Sequence, residues 1–220
     1  MSVSTGWVVL LLFMVAGFVV LFVLVTEGRY GGKRAMRWVY GRFGPSIYGS
    51  RTEADRWRAL AGELQLRGDE TILDAGAAVG DLLLTIAASH GHQGHVVGID
   101  WAPRMAAVAR AESRRRDLHR RASFAVADLR APLPFRSGAF DTVVCLGVLE
   151  TLPQPQSTLA ELVRVLRPGG TLVLSVYKKG WWSVGGALSG AWYDHQLARL
   201  GLTDVRIFAF RQSQSVLLAH

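Results

Sequence analysis

Ile72-Leu73-Asp74-Ala75-Gly76-Ala77-Ala78-Val79-Gly80 reads as a short apolar strand entering a glycine-bearing turn, with a helix opening at Asp81. Working outward from it, the same alternation recurs. Upstream, residues 52–66 carry a helical pattern, with Thr52 as a possible N-cap and Asp55 in the first turn. Downstream come a strand over 95–100, a helix over 104–116, and strands over 123–127 and 140–146. A helix over 157–166, ended by Pro168-Gly169-Gly170, precedes a strand over 171–177. A last helix over 191–200 leads to strands over 204–210 and 214–219. Short buried strands separated by helices predict an α/β fold with a Rossmann-like, doubly wound, mostly parallel sheet. The tight Arg211-Gln212-Ser213 connection makes the final two strands an antiparallel pair.

In such a sheet the ligand lies beyond the C-terminal ends of the strands. Four strand ends carry suitable residues. Asp74-x-Gly76-x-Ala78-x-Gly80 follows the first, where glycines let a ligand approach the backbone closely. The dinucleotide fingerprint Gly-x-Gly-x-x-Gly is not met, because Ala78 and Asp81 stand where it needs glycine. Asp100 closes the second strand, placed to accept hydrogen bonds from two ribose hydroxyls, or simply to cap the next helix. Trp101 and Met105 follow it and can pack on an adenine face. Asp128 closes the third strand, its carboxylate able to accept from an adenine amino group while Leu129 covers the ring. Cys145-Leu146-Gly147-Val148-Leu149-Glu150 leaves the fourth strand beneath the reactive centre.

The order Ile72-Leu73-Asp74-Ala75-Gly76…Gly80, Gly98-Ile99-Asp100, Asp128, Leu133-Pro134-Phe135, Phe140-Asp141-Thr142-Val143 and Leu166-Arg167-Pro168-Gly169-Gly170-Thr171-Leu172 resembles the class I S-adenosylmethionine-dependent methyltransferases. It is most similar to the small-molecule and lipid branch that includes ubiquinone- and menaquinone-biosynthesis methyltransferases. The resemblance covers residues 52–220 and implies a seven-stranded sheet with S-adenosyl-L-methionine as methyl donor. It implies that Asp74 and Gly76 meet the methionine part, Asp100 the ribose, and Asp128 with Leu129 the adenine. Ala78, Gly80, Trp101, Met105 and Leu146 complete the expected cofactor lining; no metal is expected. Two departures stand out. Ala78 replaces the middle glycine, which a negative φ would allow, and Thr151 stands where many relatives have histidine.

Methyl transfer from a sulfonium is an in-line displacement that rests on alignment, and a base is required only for a protonated nucleophile. Candidates for that base are Glu150, Tyr193, Asp194 and His195, each equally readable as a pocket-wall or surface residue. Residues 181–193 form an uncharged Trp- and Gly-rich segment, readable as a lid, a membrane contact or a loop with buried tryptophans.

The N-terminus carries a different signal. From Gly6 to Val25 there is neither charge nor proline, enough residues to span about 30 Å as a helix. A cleaved signal would want basic residues before a shorter apolar run, and Met1 to Thr5 has none. The expected division is a transmembrane anchor over 1–26, a basic and aromatic juxtamembrane connector over 27–51, and a methyltransferase domain over 52–220. Arg29, Lys33, Arg34, Arg37 and Arg42 follow the span, supplying five of a net charge of +8, and this predicts a single-pass protein with its N-terminus outside and its domain cytoplasmic. The connector can lie among headgroups or pack on the domain. Cys145, the single cysteine, excludes an intramolecular disulfide and reads as a buried thiol. His90, His92 and His95 read as a solvated turn, and Arg110, Arg114, Arg115, Arg116, Arg120 and Arg121 as a solvated basic helix end.

These readings converge on a membrane-anchored methyltransferase acting on a small hydrophobic or membrane-resident acceptor, such as a lipid, quinone-like ring or isoprenoid. No nucleic-acid partner is expected. The alternatives are a scaffold that keeps the fold and the cofactor, a membrane-associated protein or peptide methyltransferase, and a nicotinamide-dependent oxidoreductase. The glycine spacing counts against the last.

Overall fold

The computed structural model describes residues 5–25, 33–48, 54–177, 188–211 and 214–220. Seven strands form one sheet in the order β3-β2-β1-β4-β5-β7-β6. They are β1 (Ile72–Ala75), β2 (Val96–Asp100), β3 (Ala122–Val126), β4 (Phe140–Cys145), β5 (Leu166–Tyr177), β6 (Val205–Arg211) and β7 (Gln214–Ala219). β1 pairs in parallel with both β2 and β4, and β7 is antiparallel to both β5 and β6. The strand order reverses at β1, so the Asp74 turn opens at the switch point.

Helices α3 (Ala54–Glu63), α4 (Asp81–Ala88) and α5 (Pro103–Arg115) cover one face, and α6 (Pro155–Val165) and α7 (Gly190–Arg199) the other. Alternation along β1 shows the division: Ile72 joins the α3/α4/α5 core and Leu73 the α6/α7 core, both fully buried. Burying a side chain of that size contributes about 2 kcal/mol, so a one-residue slip of β1 would forfeit both layers at once. β5 begins earlier than the sequence predicts, at Leu166 rather than Thr171, because Leu166 pairs with Phe140 ahead of a register shift. The Pro-Gly-Gly stretch therefore bends a strand rather than preceding one.

Residues 33–48, expected within the basic and aromatic connector, form helix α2 (Lys33–Tyr48) with Pro45 inside it. Its glycine content misleads. A Cβ on Gly44 would stand 2.0 Å from Met105 Cε, so this glycine exists for close packing on α5, not for flexibility. Met36 and Gly44 are buried, while Arg34, Arg37, Trp38, Arg42 and Phe43 are exposed.

Helix α1 (Thr5–Val25) is uncharged, and its described side chains all face outward, Phe13 with 74 % of its surface exposed. Among the described residues, however, no helix is long and apolar enough to cross a membrane. The expected transmembrane helix and single-pass topology are thus carried by the sequence and not by the fold.

Candidate functional site

β1 ends by carrying Asp74 into the core, where it is 6 % exposed. The turn then reverses under tight control. Gly76 and Ala77 both donate their N–H groups to the Ile99 carbonyl, which ties the turn to the end of β2. Gly76 has φ +99°, and a Cβ there would lie 2.3 Å from Val148, so the residue has to be glycine on both counts. Gly80, at φ +83°, opens α4 against the Phe124 ring. Ala78 also lies in the left-handed region, at φ +48°. The negative φ that would allow the methyl is therefore absent: alanine stands here despite the backbone geometry, not because of it.

Asp100 holds this arrangement together. Its Oδ2 accepts the Ala78 N–H at 3.1 Å and its Oδ1 the Ala102 N–H at 2.8 Å, so one carboxylate joins the turn after β1 to the start of α5. Burial raises the Asp100 pKa, with those two N–H bonds opposing the shift. Asp74 is pushed up to about 7, first by burial and then by the Asp100 charge. No hydrogen bond reaches its carboxylate among the described residues. A buried acid without a donor beside a second acid suits a cationic ligand, and the ammonium and sulfonium of S-adenosylmethionine are such cations.

At the end of β3, Asp128 is exposed and bound by Arg130, with Nε to Oδ1 at 2.7 Å and Nη2 to Oδ2 at 2.6 Å. The same guanidinium stacks 5.0 Å over the Trp101 ring. Leu129 is buried, its carbonyl accepting the Thr158 hydroxyl. Met105, expected to face adenine, is buried with Val79 and Ala102 against Tyr40 of α2. Leu146 packs on the α3/α4/α5 core.

The base candidates divide into two pairs. Tyr193 is fully buried, its hydroxyl 2.9 Å from Glu150 Oε1 and 3.0 Å from the Ser175 carbonyl. Glu150 sits in a 3-10 turn, Leu149–Thr151, after β4. Asp194 and His195 lie on the outer face of α7, exposed, and are not brought to this cluster. Cys145 is buried, and burial, with Glu150 and Asp74 adding to it, holds its thiol well above the ordinary range, so it is no nucleophile. Of the tryptophan-rich stretch, residues 181–187 lie outside the described residues.

Two participants escaped the sequence reading. Ser175 receives the Gly147 N–H on its hydroxyl at 2.7 Å, and its carbonyl faces Tyr193; a polar residue inside Leu172-Val173-Leu174-Ser175-Val176 was the available signal. Arg130 was the other, visible only as a cation two residues from Asp128. His92, read as part of a solvated turn, is instead buried at 1 % exposure. Among the described residues no group of acids, cysteines and histidines is arranged to hold a metal.

Residues 73–174 match the family described as a methyltransferase domain. A demethylmenaquinone methyltransferase of Thermus thermophilus is 41 % identical over 120 residues, which cover 54 % of this chain and 53 % of that protein. A ubiquinone biosynthesis O-methyltransferase of Aromatoleum aromaticum is 31 % identical over 154 residues, covering 68 % of this chain and 59 % of that one. The chain thus spans about half the length of the curated relatives it matches. Among solved structures, magnesium protoporphyrin IX methyltransferase from Synechocystis with bound SAH superposes with a TM-score of 0.69 at 18 % identity, over 85 % of this chain and 98 % of that one. The matched segment runs from β1 into β5 and carries the strand-end acids Asp74, Asp100 and Asp128, so the methyltransferase-domain match and the candidate site fall on the same part of the fold.

Proposed function

We propose that the protein transfers the methyl group of S-adenosylmethionine to a small, hydrophobic, quinone-like acceptor at a membrane surface. The observation that carries the reading is the acidic turn. Asp74 is buried beside Gly76 with no hydrogen-bond donor to its carboxylate among the described residues, and Asp100 is fixed next to it by two backbone N–H groups. Asp74 would meet the methionine ammonium, Asp100 the ribose hydroxyls, and Asp128 with Trp101 and Leu129 the base. The cofactor, when bound, supplies an electrophilic methyl on sulfur. The chain supplies alignment and exclusion of water, which account for most of the acceleration in a displacement of this kind.

Where the acceptor arrives as a hydroxyl or a carbon acid, a proton must leave it. Glu150 is the group best placed to take it, and Tyr193 positions it. The single phenolic proton of Tyr193 faces two acceptors, the Ser175 carbonyl and Glu150 Oε1. Once Glu150 is protonated both contacts are satisfied: Glu150 donates to the phenol oxygen while the phenol donates to the carbonyl. The arrangement therefore gives the proton taken from the acceptor a hydrogen-bonded place on Glu150.

Two observations support a hydrophobic acceptor near a membrane. Relatives named for menaquinone and ubiquinone biosynthesis share the domain. Helix α1 also turns Leu12, Phe13 and Phe18 outward, each more than 60 % exposed. Leaving such side chains in water costs about 2 kcal/mol apiece, and lipid around α1, with anionic headgroups against Arg34, Arg37 and Arg42, removes that cost. The domain then faces the basic, cytoplasmic side.

The test combines calorimetric titration of the detergent-solubilised protein with S-adenosylmethionine and transfer of a labelled methyl to demethylmenaquinone-like quinols in vesicles. Failure of the folded protein to bind the cofactor removes the enzyme reading. Binding without transfer to any quinol removes the acceptor class. In a parallel arm, a variant lacking residues 1–25 should leave the membrane fraction; if it still sediments with membranes, α1 is not the anchor.

A further inference from the structure

Arg130 occupies the place that the cofactor reading gives to adenine. Its guanidinium makes a two-point hydrogen bond to Asp128, at 2.7 and 2.6 Å, and lies 5.0 Å over the face of Trp101. Its own backbone N–H also donates to Asp128 Oδ1 at 3.1 Å, which folds the loop after β3 back on its strand end. Asp128 closes β3 and Trp101 follows the end of β2, and the two strands are neighbours. A planar group with N–H donors on its edge and a π face is what this gap accepts. Adenine has that shape and that edge, and so has guanidinium. The two cannot share one carboxylate edge and one ring face.

A second seat for the side chain lies next to the first. A cavity of about 170 Å³ is lined by Leu129, Arg130, Pro153, Gln154, Ser157 and Glu161, on the side of the loop facing the head of α6. Its wall offers the Ser157 hydroxyl and the Gln154 amide oxygen as acceptors. Arg130 is only 23 % exposed where it stands and already borders this space.

We propose that Arg130 is a latch on the adenine subsite: it fills the gap between Asp128 and Trp101 when no cofactor is present and turns into the cavity beside α6 when adenine enters. The proposal rests on the cofactor reading given above. Its consequence is a handicap on affinity set by the strength of the closed latch. A partly exposed ion pair and one cation–π contact together correspond to about a tenfold handicap.

Calorimetry and stopped-flow titration of the full-length protein with S-adenosylhomocysteine, and with adenosine as a probe of the base subsite alone, test this. Arg130→Ala should bind both ligands about five- to tenfold more tightly, through faster association. Ser157→Phe, which fills the second seat, should weaken binding in the native background and have no effect once Arg130 is alanine. Weaker or unchanged binding by Arg130→Ala would overturn the latch, as would an effect of Ser157→Phe that persists in the double variant. A wild-type protein that melts cooperatively yet binds neither ligand would instead overturn the cofactor reading on which the latch stands.

Discussion

Asp100 Oδ2 accepts the N–H of Ala78 across 3.1 Å, so the acid closing β2 holds in place the residue that departs from the glycine pattern of the turn after β1. The bond fixes Ala78 at φ +48°, where its methyl crowds its own carbonyl. The left-handed region costs a residue with a Cβ about 1–2 kcal/mol. Glycine would relieve that strain and return part of the gain through its greater freedom when unfolded. Ala78→Gly is therefore expected to raise stability by up to about 1 kcal/mol, a melting temperature higher by about 2–4 °C for a chain of this size. Loss of stability on this change, measured by thermal melting, would show that the methyl packs favourably enough to outweigh the backbone.

Asp74 sets a cost that grows with pH. Its folded pKa lies at about 7 against an unfolded value near 3.8, so the folded state holds the proton more tightly. Stability is full below the unfolded value, falls as pH rises between the two, and is flat above the folded one. At about 1.4 kcal/mol per unit the whole loss is on the order of 4 kcal/mol. Asp74→Asn should melt higher than the native protein, by a margin that widens from pH 5 to pH 8, and should lose binding of S-adenosylmethionine. A margin independent of pH would mean that Asp74 is ionised in the fold without penalty.

Much of this site was legible before the fold. The strand-end acids Asp74, Asp100 and Asp128 could be found because a parallel sheet places ligands at its C-terminal edge whatever the chain does elsewhere. Their geometry was not legible. The positive φ at Ala78 accompanies a bond to Asp100, 22 residues on, and the close approach of Met105 to Gly44 joins positions 61 residues apart; neither leaves a local trace. Residues close in sequence also parted in space: Tyr193 turns into the core beside Glu150 while Asp194 and His195 turn outward, a division set by helical phase. A pairing across 43 residues, such as Tyr193 with Glu150, leaves no local trace in a sequence.

That pairing predicts a specific division of kinetic effects. Tyr193→Phe removes the hydroxyl between Glu150 and the Ser175 carbonyl but keeps the ring. It should lower kcat for a protonated acceptor about 10- to 100-fold while leaving cofactor binding within twofold. Glu150→Gln should do at least as much, and the pH dependence of kcat should flatten on its acid limb. If both variants raise KM for S-adenosylmethionine with kcat unchanged, the pair serves the cofactor and not the proton.

His92 supplies the last prediction, because it is buried with neither ring nitrogen hydrogen-bonded among the described residues. Burial lowers its pKa; Glu70, 4.0 Å from Nδ1, and Asp69 oppose the shift, and Arg121 reinforces it. The unfolded chain therefore takes up a proton near pH 6.5 that the folded one refuses. Stability is fully present above that point and is lost as pH falls below it. Glu70 acts in the opposite sense at lower pH. Burial would raise its pKa, but the Arg67 and Gly68 N–H groups outweigh burial and hold it below 4.5, so its contribution disappears only below that value. The two windows separate. Between pH 7 and pH 5 the native protein should lose stability faster than His92→Gln, and below pH 4.5 the two should fall in parallel. Parallel curves throughout, in urea titrations at stepped pH, would show that His92 takes up its proton in the folded state as readily as in the unfolded chain.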